Sequence, residues 1–167
     1  IILGGGEERR RFIDKLLSQI DHEYLNQLIS YNKVLQQRNM LLKEFNDSVS
    51  HLDLLSTYDE SLSDYGYKIY LKRKESIGLI LNNVQDYYSF ISKDSERVSV
   101  QYKSQLENES FEDILYKNRQ RDKILKFTST GIHRDDFIFQ INSRSLRKSG
   151  SQGQQKTFLI SLKFAYF

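Results

Sequence analysis

The 167 residues contain no cysteine and no proline. Without cysteine there is no disulfide and no thiolate-held metal, which suits a reducing compartment. Without proline, nothing in the chain forbids long helices. Long apolar runs are missing too. None approaches the roughly 18–20 residues that a membrane-spanning helix needs, and no signal-peptide pattern opens the chain. A soluble, cytoplasmic protein with no membrane partner is the expectation. An excess of one charge is also lacking, since 25 basic residues face 22 acidic ones for a net charge of +3. That balance leaves only local clusters to hold a nucleic acid. The one methionine is Met40, residue 1 is Ile, and LISLKFAYF ends the chain with no helix stop signal. An internal piece of a longer protein is expected.

What is present is helical periodicity. Glu7 and Glu8 follow three glycines, as carboxylates do in the first turn of a helix, where they meet its positive end. A helix over about 7–20 would bury Phe12, Leu16 and Ile20, with Ile13 and Leu17 beside them. Asp21 reads as the N-cap of a second helix. There Tyr24, Leu28, Tyr31, Leu35, Arg38, Leu42 and Phe45 alternate four and three residues apart, the seam of a coiled coil with Arg38 its one polar member. NDSVS at 46–50 makes a polar turn. A third helix over about 51–91 continues the seam through Leu55, Tyr58, Leu62, Tyr65 and Ile69. The seam slips near Lys72 and resumes at Ile77, Val84 and Ile91. Gly66 and Gly78 each cost about 1 kcal/mol in a helix interior, so a bend or break is expected near one of them. The short polar turn predicts an antiparallel helical hairpin over about 22–91.

After Ser92 the period changes. Val98, Val100 and Tyr102 alternate as a strand does, and 111–125 returns to helical spacing through Ile114, Leu115 and Ile124. DDFIFQI at 135–141 is a second strand, with Asn142-Ser143 a hairpin turn into a third around Ser145–Arg147. KSGSQGQQK then leads into a last helix. The fold class is α+β, mostly helical. It divides into a helical region over 1–92 and an α/β part over 93–167.

The chemistry concentrates at 149–156, Ser-Gly-Ser-Gln-Gly-Gln-Gln-Lys. A small-residue loop feeding a helix N-terminus presents free N–H groups and the positive dipole end to an anion. Ser151 adds a hydroxyl, and Gly153 lets a phosphate approach the backbone. An ordinary capped turn satisfies the same pattern, and spacing alone leaves both readings open.

Ser151-Gln152-Gly153-Gln154 resembles the Ser-Gly-Gly-Gln core of the ABC signature motif, with Gln152 where the common form has Gly. SQGQQK after a hairpin that begins GIHRDD, GGGEERRRFID at 4–14 and YNKVLQQRNMLLKEF at 31–45 resemble the RecF family in order and span nearly the whole chain. The resemblance implies an Smc/Rad50-like ATPase head that uses ATP and Mg2+ and forms an ATP-dependent homodimer. In it, Ser151 and Gly153, with Gln152 in the same loop, would face the γ-phosphate held by the opposite subunit. Gln154 would support them, as would His133, Arg134, Asp135 and Lys156. It also implies DNA at single-strand gaps and double-stranded junctions, with RecO and RecR as repair partners.

No GxxxxGK[ST] and no Walker B strand occur in these residues, so the chain alone is not expected to hydrolyse ATP. The family pattern places those motifs before residue 1 and beyond residue 167. Gly4-Gly5-Gly6 lacks the Lys-Ser/Thr of a phosphate loop and reads as the opening of a helix. His133, Asp135 and Asp136 could hold a metal, but a charged strand start is the plainer reading, and no metal site is expected. Candidate DNA contacts are Arg9, Arg10 and Arg11; Lys72, Arg73 and Lys74; and Arg144, Arg147 and Lys148. For any single cluster, a solvated helix face paired with nearby Glu and Asp is the plainer reading. Two rivals remain: a helical-hairpin interaction module with no nucleotide role, and a head segment of another Smc-like ATPase.

Overall fold

A computed structural model describes residue 2 and residues 4–46, 48–93 and 96–166. Ile1 and Leu3 of the opening stretch and Asp47 of the polar turn lie outside the described residues. The elements are α1 (Gly6–Ile20), α2 (His22–Lys43), α3 (Val49–Ser92), β1 (Val98–Lys103), α4 (Phe111–Leu125), β2 (Asp136–Ile141), β3 (Arg144–Ser145), α5 (Leu146–Ser149) and α6 (Gln152–Ala165). The α+β, mostly helical class holds. The chain separates into two compact units, one of Ile1–Ile20, Arg73–Lys103 and Asp136–Phe167, the other of Asp21–Lys72 and Ser104–Asp135. This partition cuts across the expected division at residue 92, because α3 contributes to both units.

The first unit is built on an antiparallel sheet of order β1-β2-β3. Val98 pairs with Ile141 and Lys103 with Asp136, so Val98, Val100, Phe137, Phe139 and Ile141 share one buried face. Phe139 meets Phe158 of α6 at 5.1 Å between ring centroids, and Tyr102 stacks on Phe137 at 4.8 Å. Asn142 and Ser143 both have positive φ, as a two-residue turn matched to strand twist requires. β3 is shorter than the expected 145–147, because Leu146 turns inward and starts α5. On α1 the buried residues include Phe12, Ile13, Leu16 and Leu17. Ile20 is exposed at the last helical position, contrary to expectation. Along the end of α3 the buried stripe is Ile77, Ile80, Val84 and Tyr88. Ile91 lies off it and is exposed.

The second unit holds α2 and the part of α3 up to Lys72, the portion of the predicted hairpin around its turn. Asp21 caps α2 by accepting from Tyr24 N at 2.9 Å. Leu41 and Leu42 cluster with Leu55, Phe45 and Tyr58, Arg38 reaches Asp59, and Lys72 reaches Asp21. These pairings run antiparallel. No break interrupts α3 at either glycine. At Gly66 a Cβ would lie 2.4 Å from Phe111 and 3.3 Å from Tyr31, so close packing rather than a kink accounts for that glycine. On α4, Ile114 and Leu115 are buried as expected, but Ile124 is 81% exposed.

Candidate functional site

The loop ahead of α6 is fixed at both ends. Gly150 N donates to Leu146 O at 3.0 Å, and a Cβ at Gly150 would lie 2.6 Å from that carbonyl, so only glycine fits. Ser151 is the N-cap of α6: its hydroxyl accepts from Gln154 N at 3.2 Å, and Gln154 Oε1 accepts from Ser151 N at 2.7 Å. This reciprocal capping box satisfies two donors. The first-turn N–H groups of Gln152 and Gly153 have no intrahelical acceptor within reach and sit at the positive helix end. Ser151, Gln152 and Gly153 are exposed, and a Cβ at Gly153 would meet nothing nearer than Ser151 Oγ at 3.8 Å. Because the Ser151 oxygen accepts in the cap, its O–H remains a donor. Hydroxyl, N–H groups and dipole together suit a phosphate oxygen. The helix begins at Gln152, five residues earlier than the Thr157 start suggested by the last apolar-periodic stretch.

A carboxylate stands behind this cap. Gln154 Nε2 donates to Glu96 Oε1 at 2.6 Å, and Tyr88 O–H donates to Glu96 Oε2 at 2.7 Å. Gln85 joins the same corner, its Nε2 donating to Glu96 O and its Oε1 accepting from Val98 N. The sequence reading missed Glu96, which carries no motif and lies 58 residues from Gln154.

The basic clusters fare differently from one another. Arg9 is buried, donating to both oxygens of Asp136 at 2.9 Å and to Gly4 O at 2.7 Å. Burial alone would raise the Asp136 carboxyl, but the hydrogen bonds and charge of Arg9 hold it below its ordinary value. Arg73 is buried against Asp14 and lies over the Phe137 ring. Arg9 and Arg73, expected as DNA contacts, are internal braces instead, since both guanidiniums are buried and spent on partly buried carboxylates. Lys72 is held by Asp21, whose carboxyl is lowered first by the Tyr24 N–H and further by Lys72. Arg10 is half-buried, whereas Arg11, Lys74, Arg144, Arg147, Lys148 and Lys156 are exposed.

His133, Arg134 and Asp135 belong to the second unit, and the loop at 151–156 to the first. Both His133 nitrogens are engaged, Nδ1 with Tyr31 O–H at 2.7 Å and Nε2 with Thr128 O at 3.1 Å. Asp135 is buried, and Arg134 lies over the Phe127 ring at 5.4 Å. No group of three metal-ligating side chains occurs among the described residues. Arg38, the polar member of the seam, is fully buried and donates to Asp59, Asp122 and Thr128.

A second feature escaped the sequence reading. From Ile114 to Arg134 the cations are Lys117, Arg119, Arg121, Lys123, Lys126 and Arg134, while the only carboxylate is the buried Asp122. Lys117 pairs with Glu109 and Arg119 with Asp59; Arg121 and Lys126 are exposed. Tyr116 is 70% exposed beneath the Arg119 guanidinium. Exposed cations such as Arg121 and Lys126, with an exposed tyrosine on the same helix as Arg121, are side chains of the kind that meet a nucleic-acid backbone. Their signal was the scarcity of acids over 21 residues, masked by the near-neutral total.

No family model matches the chain. Among curated proteins it is 48% identical over 163 residues to a DNA replication and repair protein RecF of Azobacteroides pseudotrichonymphae genomovar. CFP2, covering 98% of this chain and 44% of that protein. It is 43% identical over 170 residues to a RecF of Flavobacterium johnsoniae, covering all of this chain and 47% of that one. Among solved structures, the recombination mediator protein RecF-ATPrS in the RecFOR pathway superposes with a TM-score of 0.89 at 32% identity. It covers 99% of this chain and 47% of that one. RecF-ATP in the same pathway gives a TM-score of 0.85 at 31% identity. The chain thus spans less than half the length of the relatives it matches.

Proposed function

We propose that this chain, which belongs to the RecF family, supplies the signature loop of an ATP-dependent DNA-repair ATPase. Ser151 and Gly153 contact the γ-phosphate of ATP bound by the opposite subunit of a homodimer. The observation that carries this reading is the exposed N-terminus of α6: the Ser151 hydroxyl and the N–H groups of Gln152 and Gly153 are free to donate outward, while Gln154 holds the cap closed behind them. Solved relatives described as RecF-ATP and RecF-ATPrS supply the nucleotide side of the argument. These donors fit an anionic phosphate oxygen and not a divalent cation. Mg2+ is therefore not held by this loop. The loop contributes by compensating charge on the terminal phosphate and so joining two subunits only when ATP is present.

DNA is the substrate on which this dimer acts, at single-strand gaps and duplex junctions, in recombinational repair with RecO and RecR. The relatives' description as DNA replication and repair proteins and the RecFOR pathway of the solved structures support this. Within this chain, the exposed Arg121 of α4, Lys126 just after it, and the exposed Arg144, Arg147 and Lys148 are the cations suited to phosphates.

The test uses the full-length protein and light scattering. In Ser151→Arg, ATP binding by the monomer should persist while ATP-dependent dimerisation is lost, because the side chain fills the space a γ-phosphate needs. Unchanged dimerisation would reduce the loop to a helix cap and favour the interaction-module reading of the hairpin.

A further inference from the structure

We propose that Glu96 is a positioning residue for the signature loop, setting its donor geometry through Gln154 and tying it to the end of α3 through Tyr88. This rests on the signature-loop reading above and adds a residue that the loop's own motif does not contain.

A capping box normally closes on itself. The N3 side chain offers one oxygen to the N-cap N–H, and glutamate serves as well as glutamine. Here the second half of the N3 side chain is committed. Gln154 Oε1 accepts from Ser151 N, and Gln154 Nε2 donates to Glu96 Oε1. A carboxylate can only accept, so Glu96 fixes which way the Gln154 amide faces. Oxygen must point to Ser151 and nitrogen to Glu96. A glutamate at 154 would keep the cap but set two carboxylates against each other. The choice of Gln at 154 thus follows from Glu96.

The other end is anchored as firmly. Tyr88 is fully buried on α3, and its O–H donates to Glu96 Oε2 at 2.7 Å. Asn142, in the turn between β2 and β3, pins the adjoining backbone. Its N–H donates to Arg97 O at 2.7 Å, and its side-chain oxygen accepts from Arg97 N at 2.9 Å. Glu96 therefore stands between a buried tyrosine on a 44-residue helix and the amide that shapes Ser151. A shift in the last turns of α3 is transmitted to the loop through one carboxylate, and charge-assisted bonds of this kind are the strong ones.

The experiment is a charge-swap cycle in the full-length protein, reading ATP-dependent dimerisation and ATP binding by the monomer side by side. Q154E should weaken ATP-driven dimerisation about tenfold, the loss of a hydrogen bond to a charged group. Its ATP binding should match wild type. E96Q alone should be mild, because its amide can still accept from Gln154 and donate to the Tyr88 oxygen. The double variant E96Q/Q154E should recover dimerisation, since the amide now at position 96 can donate to the carboxylate now at position 154 while its oxygen accepts from Tyr88. E96A, which removes the carboxylate without adding charge, should show the same defect as Q154E. A general folding defect would lower monomer ATP binding and melting temperature as well, and the double variant would not repair it. Ser151→Arg run alongside separates the two ideas. If S151R dimerises normally, the signature-loop reading fails. If S151R is dead while Q154E and E96A dimerise like wild type, or the double variant shows no recovery, Glu96 has no positioning role.

Discussion

Arg38 Nη1 donates to Asp122 Oδ2 at 2.8 Å with both side chains fully removed from solvent. The same guanidinium reaches Asp59 through Nε, and Asp59 also receives Arg119. One seam arginine on α2 thereby joins α3 and α4 through two carboxylates. Removing it leaves charges stranded in the interior, where breaking a buried pair costs about 3–5 kcal/mol. Arg38→Met should lower hydrogen-exchange protection of α2 and α4 amides by about that amount in the full-length protein. Arg38→Lys should not restore it, because an ammonium cannot span the two carboxylates as the guanidinium fork does.

The two glycines of α3 should respond oppositely to alanine. Gly78 has nothing within 4 Å of a built Cβ, so Gly78→Ala should stabilise α3 by about 1 kcal/mol through helix propensity. Gly66→Ala would drive a methyl into Phe111 and should destabilise by about 1–3 kcal/mol despite the same propensity gain. Native-state hydrogen exchange along α3 reads both.

Acid should loosen the Arg9–Asp136 brace. The folded carboxyl lies below its ordinary value, so its contribution is complete above the unfolded carboxylate value of about 4. It is lost as pH falls through the folded value. Asp136→Asn should therefore lower the melting temperature most near pH 7, and the gap to wild type should narrow below about pH 4.

Neutralising the exposed cations Arg121 and Lys126 should weaken DNA binding through its salt dependence. For full-length R121Q/K126Q, the slope of log affinity against log salt should fall by roughly one for each phosphate contact removed. Filter binding across a salt series measures it. An unchanged slope would remove α4 from the DNA-contacting surfaces.

Much of this was legible in the chain, for identifiable reasons. Helices follow from apolar spacing, and Asp21 announces its cap by residue type. Asn142-Ser143 announces its turn in the same way. Spacing does not reveal which arginines are interior. Arg9 and Arg73 read like their neighbours, and only the partners Asp136 and Asp14, 127 and 59 residues away, draw them inside. Ile20, Ile91 and Ile124 fit the helical period yet are exposed. Glu96 was invisible because its role depends on a tyrosine eight residues before it and a glutamine 58 residues after.

Mixing subunits shows directly whether the Ser151 loop acts on nucleotide held by the other subunit. One full-length variant carries Ser151→Arg; the other keeps Ser151 but carries a substitution that abolishes ATP binding by its own subunit. Each alone should fail to hydrolyse ATP. Mixed, they form hybrid dimers in which ATP bound by the first faces an intact Ser151 loop from the second, and hydrolysis should return. Hybrid dimers that form but remain inactive would place Ser151 in its own subunit's site or outside the ATP site, and would contradict the account.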